Sequence, residues 1–229
     1  TLVTEAVGDT ITISDSTLVN GTTKKSFSLE KNMSDVTQFM GITGARADGL
    51  SLSIASRQKV TGNYAFMGKS AGLAGATIGS GAYSAAPTNP VLNASANVAR
   101  LLEGGAVLGT GVYVQKLDIQ YSNNTRIIDG VGSNTAVEIG VGRFNCTGTM
   151  TALFESEVLF NKYLNHTLSA INAAIEDVNG AGYMFSFPAV YYTNGDVIGA
   201  GNDDSVMADL EWEAIMHPTQ NIMARIDRA

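Results

Sequence analysis

Apolar and polar residues alternate with a period of two along most of this 229-residue chain. That period sends successive side chains to opposite faces of an extended strand. The stretches 26–31, 37–46, 50–55, 60–67, 98–103, 107–121, 143–154, 171–178, 183–192 and 206–216 carry it. The last sorts Val206, Ala208, Leu210, Trp212, Ala214 and Met216 onto one face and Asp209, Glu211 and Glu213 onto the other. This is the pattern of a half-buried antiparallel strand. Near the start, Thr10-Ile11-Thr12-Ile13 alternates too. Turn chemistry punctuates the series: Asn20-Gly21 predicts a hairpin, Ala47-Asp48-Gly49 a turn into 50–55, Gly104-Gly105 a turn within a long hairpin over 98–121, and residues 179–182 another. One segment changes period. Over 155–167, Leu159 and Tyr163 stand at i, i+4, as do Phe160 and Leu164, with Ser156 placed as N-cap; this predicts a helix. The sum is an all-β sandwich or barrel with one packed α-helix.

The alternation also repeats. Val60-Thr61-Gly62 opens a strand that recurs as Cys146-Thr147-Gly148, and each has an alternating partner upstream, LSLSI at 50–54 and LDIQY at 117–121. A duplicated β unit is therefore expected: a first unit over 1–69, an arm or linker over 70–96, and a second unit over 97–229. Gly, Ala, Ser and Pro dominate the arm, and an unstructured connection of such length is usually functional or disordered. A polar excursion over 122–140 interrupts the second unit.

Composition narrows the function classes. Apolar residues make up 45% and charged residues 15%, enough for a real core and few charges for a free monomer's surface. A net charge of −7 argues against a protein that grips nucleic acid through a basic patch. It leaves room for one that nucleic acid slides past. The single cysteine, Cys146, reads as a small buried hydrophobe. Two histidines, His166 and His217, without a cysteine partner make no zinc site. Gly68-Lys69-Ser70 ends like a phosphate loop, but Asn63 stands where its first glycine belongs and no helix signal follows. Glu155 and Glu157 suit a first helical turn, and Asp203-Asp204 lacks the spacing of a calcium loop. No catalytic, cofactor or metal constellation emerges, and no apolar run approaches a membrane span.

The polar faces of the repeated strands carry more information. The first copy turns out Ser51, Ser53, Ala55, Thr61, Asn63 and Ala65, and the second Asp118, Gln120, Asn145, Thr147, Thr149 and Thr151. These groups offer little to stack on a base or hold a phosphate. Two readings fit: a face covered by a loop, or a wall that must not adhere.

Four stretches in order resemble the tail tube (major tail) proteins of long-tailed bacteriophages: SFSLEKNMSDVTQFMGITGARADGLSLSIASRQKVTGNYAFMGKSAG, PVLNASANVARLLEGG, GVYVQKLDIQYSNNTR and VGRFNCTGTMTALFESEVLFNKYLN. The resemblance spans about residues 20–228. It implies a structural virion protein whose subunits close into stacked rings, forming a hollow conduit for DNA ejection. Partners would be further copies of the chain, in trimeric pseudo-hexameric or hexameric rings, with the tape-measure protein, tail terminator and tail-tip proteins, and double-stranded DNA in passage. Assembly would take place in the host cytoplasm. On that reading Ser51, Ser53, Thr61, Asn63, Asp118, Gln120, Asn145, Thr147, Thr149 and Thr151 face the lumen. Leu73, Ile78, Tyr83, Arg126 and Ile127 would contact neighbouring rings. Members of the family often carry a further N-terminal segment, so the first unit is expected to continue ahead of Thr1. The competing reading is an extracellular or fimbrial β-sandwich that binds sugar or protein.

Overall fold

The computed structural model describes residues 16–80, 88, 90–107, 113–154, 157–177, 180–199 and 205–228. The strands of this part are β1 (Ser16–Val19), β2 (Phe27–Met33), β3 (Gln38–Ala55), β4 (Thr61–Met67), β5 (Ser70–Ala74), β6 (Val98–Glu103), β7 (Ala106–Val107), β8 (Val114–Ser122), β9 (Arg126–Ile128), β10 (Glu138–Gly140), β11 (Asn145–Leu153), β12 (Ser169–Glu176), β13 (Gly182–Ile198), β14 (Met207–Ala214) and β15 (Arg225–Arg228), with one helix, α1 (Val158–Leu164). Thirteen of the strands join in a single antiparallel sheet along β2-β3-β8-β11-β14-β13-β12-β6-β7, with β4 and β5 on β3, and β15 linking β13 to β1. β9 and β10 form a separate hairpin. The all-β class with one helix is what the alternation predicts, and the sheet does not close into a barrel.

The sheet buries its apolar side by folding over itself. Leu117, Ile119, Met150, Leu210 and Trp212 from β8, β11 and β14 share a core with Ile171, Ala173, Ile175, Phe185 and Phe187 from β12 and the first half of β13. Phe187 holds the layers together, its ring centroid 4.9 Å from Trp212 and 5.9 Å from Tyr121. Long β13 serves both layers. Its first residues pair with β12 and β15, and its last with β14. Pro188, which has no N–H to donate, falls where the β12–β13 register shifts. Cys146 is fully buried in this core, and burial pushes its thiol well above its ordinary range. In the folded protein it is expected to stay unmodified by a thiol reagent that reacts at once after denaturation.

Helix α1 is shorter than the predicted 155–167. Leu159 enters the core and Tyr163 packs partly against it, while Leu164 stays exposed. Ser156 lies outside the described residues, and Glu157 occupies the N-cap without a side-chain capping bond. The helix is held instead by a buried polar cluster. Lys162 Nζ donates to Glu103 Oε2 at 2.6 Å and to Ser169 Oγ at 3.1 Å. Ser169 Oγ at 2.6 Å and Tyr192 Oη at 3.1 Å both donate to Glu103 Oε1. A charge on the helix is thereby satisfied by β6, β12 and β13 together, as burial requires.

Several local expectations need correcting. Ala47-Asp48-Gly49 is no turn: β3 runs through it as an 18-residue strand with a bulge between Ala47 and Gly49. Asp48 leaves the ladder because Thr125 claims it, donating to its Oδ1 from both backbone N–H (2.9 Å) and Oγ1 (2.6 Å). Asn20-Gly21 makes no hairpin. The Asn20 side chain accepts the backbone N–H groups of Met223 and Ala224, and β1 pairs with β15 at the far end of the chain. The long hairpin over 98–121 is also overturned. Gly104 and Gly105, both at positive φ, do turn β6 into β7, but β8 pairs with β3 and β11. Part of the 70–96 stretch is strand, since β5 folds back on residues 39–43 of β3. Thr10–Ile13, Asn179 and Asp203-Asp204 lie outside the described residues.

Candidate functional site

The repeated strand pairs meet in one place. β4 and β3 carry the first copy, β8 and β11 the second, and their order in the sheet is β4-β3-β8-β11. The registers are symmetric about one central pair, Leu52 opposite Ile119. Gly62 faces Leu52 as Gly148 faces Ile119, and Thr61 faces Ser53 as Thr147 faces Gln120. The copies are thus related by a local twofold axis through the sheet. β14 extends the second copy, and the last residues of β13 extend it further.

Four cross-strand rows cover the polar face of this six-stranded region. They read Ala55–Lys116–Thr151–Asp209–Asp196, Thr61–Ser53–Asp118–Thr149–Glu211–Asn194, Asn63–Ser51–Gln120–Thr147–Glu213–Tyr191 and Ala65–Gly49–Ser122–Asn145. The two middle rows floor an open trough of about 780 Å³. Eight of the ten residues assigned from sequence to a common face, Ser51, Ser53, Thr61, Asn63, Asp118, Gln120, Thr147 and Thr149, line it. Thr151 and Asn145 belong to the flanking rows of the same face. Thr193, Glu211 and Glu213 line the trough as well. Sequence reasoning had placed both glutamates on a polar strand face, but not beside β11.

Asp118 is the best-held group on this floor. Ser53 Oγ donates to its Oδ1 at 2.6 Å and Thr149 Oγ1 to its Oδ2 at 3.3 Å, one from each flanking strand. Lys116 Nζ lies 2.5 Å from Oδ2. Burial works against ionisation, but the hydrogen bonds from Lys116, Ser53 and Thr149 and the charge of Lys116 hold the carboxyl below its ordinary 3.8. The rest of the four rows is hydroxyls, amides, four further carboxylates, two alanines and a glycine. Such a surface can hydrogen-bond water and repel an anion.

Four of the five residues predicted to contact neighbouring rings are described, and they lie away from the trough. Leu73 sits on β5 with 68% of its surface exposed. Ile78 lies against Gly41, and its backbone N–H donates to Glu30 Oε2 at 2.6 Å. Arg126 and Ile127 are exposed on β9. The β9–β10 hairpin is tied to β3 by Arg46, which donates to the Ile139 carbonyl at 2.6 Å. Tyr83 lies outside the described residues. Among those residues, no helix is long and apolar enough to cross a membrane.

The described residues thus form a β-rich fold with one helix and a wide polar face. A family model described as phage tail tube protein matches residues 2–214. The chain belongs to that family. It is accordingly a structural protein of the phage tail and a component of the tail tube, and the family is not a class of enzymes. No curated protein matches the chain.

Proposed function

We propose that the chain closes with copies of itself into rings, that the rings stack into a hollow tube, and that the trough face forms the inner wall through which double-stranded DNA leaves the virion. The observation that carries this reading is the convergence of eight polar side chains, seven uncharged and one acidic, from both strand pairs on one floor. A lumen lined with Lys and Arg would hold DNA by releasing many counterions, with affinity changing by orders of magnitude over a modest change in salt. A lumen of hydroxyls, amides and carboxylates leaves the phosphates hydrated and moving. The tape-measure protein would fill the same channel before DNA does, with terminator and tip proteins at the ends. Assembly precedes release from the host, in its cytoplasm. β5, the segment around Ile78 and the β9–β10 hairpin project from the wall strands and reach the adjacent rings.

The local twofold bears on the ring count. A trimer that mimics six subunits needs its internal copies related by rotation about the tube axis, with the two strand types recurring in the same order around the wall. Here the order is mirrored, β4-β3 against β8-β11. This order fits one wall segment per chain rather than two ring positions, and favours the hexameric ring over the trimeric one. Native mass spectrometry of a single ring is expected to give six times the 23.9 kDa chain; three times that mass would reject the count.

A further inference from the structure

We propose that Asp118 masks Lys116, so that the inner wall presents no available ammonium group to a passing polyanion. This rests on the tube reading above. Lys116 is the one cation in the four rows of the polar face, among Asp118, Asp209, Asp196, Glu211 and Glu213. It lies two residues from Asp118 on the same face of β8, and its Nζ is folded down to 2.5 Å from Asp118 Oδ2. The carboxylate is fixed from both sides by Ser53 and Thr149, so it is a pre-set receptor for the ammonium. An ion pair this exposed adds little to stability. Its consequence is electrostatic. A lysine left unpaired in every chain would recur around each ring and along the whole tube, and affinity for DNA rises steeply with the number of phosphates neutralised. Masking one lysine per chain removes that entire ladder of contacts.

The test compares assembled tubes of native protein, Asp118→Asn, Lys116→Gln and the double variant. The probe is a short fluorescent DNA duplex, followed by anisotropy as salt is raised. Asp118→Asn tubes are expected to bind it at least tenfold more tightly than native tubes at about 50 mM salt and to lose the gain near 200 mM. The double variant should return to native behaviour, and Lys116→Gln alone, which leaves the Asp118 carboxylate uncompensated, should bind no more tightly than native and with an unchanged salt slope. Asp118→Asn tubes with native affinity would overturn the masking while leaving the tube reading intact. If Asp118→Asn fails to fold, the salt slope of Lys116→Gln still decides: a slope lower than native by about one or more would show that Lys116 already engages phosphate and would overturn the proposal, and an unchanged slope supports it. If native protein forms no tubes, the functional reading falls and this inference with it.

Discussion

Replacing Gly148 with alanine is expected to cost about 3 kcal/mol of folding stability, the upper range for forcing extra volume into a packed core. Gly148 sits on β11 between β8 and β14. A Cβ there would overlap the carbonyl oxygen of Asp118 and the indole ring of Trp212. Neither can yield. The carbonyl belongs to the central ladder, and Trp212 is 1% exposed and wedged against Phe187. The twofold mate, Gly62, supplies the control. Its Cβ would meet the tip of Leu52 at 2.8 Å and the Ser51 carbonyl at 3.2 Å, on an outer strand where a leucine can rotate aside. Gly62→Ala should therefore cost about 1 kcal/mol or less. Urea unfolding of both variants checks the contrast; equal midpoints would show that the two positions are not packed as described.

Tyr64→Glu is expected to abolish tube formation and leave the subunit folded. Among the described strands β4 pairs with β3 alone, so its other edge is open to them. On the apolar side of this edge strand Tyr64 is 65% exposed, and Phe66 lies 6.3 Å from it and 5.8 Å from the half-covered Phe27, ring to ring. The core roof ends short of these rings. A contiguous aromatic patch beside an open strand edge is a contact site, and in a chain that self-assembles the neighbouring copy is its occupant. Burying a glutamate there costs several kcal/mol at every subunit junction. The same carboxylate on the free subunit stays in water and changes stability by no more than about 0.5 kcal/mol. Sedimentation should show native-like monomer and no polymer even a hundredfold above the native assembly concentration. Tubes forming at the native concentration would mean that the edge of β4 faces solvent in the assembly.

Much of the fold was legible because one physical rule, alternation on a half-buried strand, writes itself into sequence wherever one face is wet. β4, β11, β14 and the paired segments of β3 and β8 all follow it. The polar face was legible for the same reason, so its residues could be assigned together before their neighbours were known. What alternation does not encode is which strands pair. The sequence pairs β8 with β11, which holds, and also with 98–103 in a long hairpin, which does not; its second neighbour is β3, because the apolar sides of 50–54 and 117–121 match across the twofold. β15 escaped notice since Arg225 and Asp227 point inward, where they pair with each other and Thr17 donates to Asp227 at 2.6 Å. Two buried charges erase the hydrophobic signal. β5 escaped for the opposite reason: Ser70–Ala74 is exposed on both faces and nearly all small residues, so it has no period to read. Asp48 looked like a turn residue because a bulge and a turn draw on the same side chains.

The central claim is that these chains enclose a channel. Electron microscopy of the purified protein in negative stain addresses it most directly. The account predicts hollow filaments of uniform width, each with a stain-filled axial line. Solid fibres, or dispersed single subunits at concentrations where tubes should form, would contradict it.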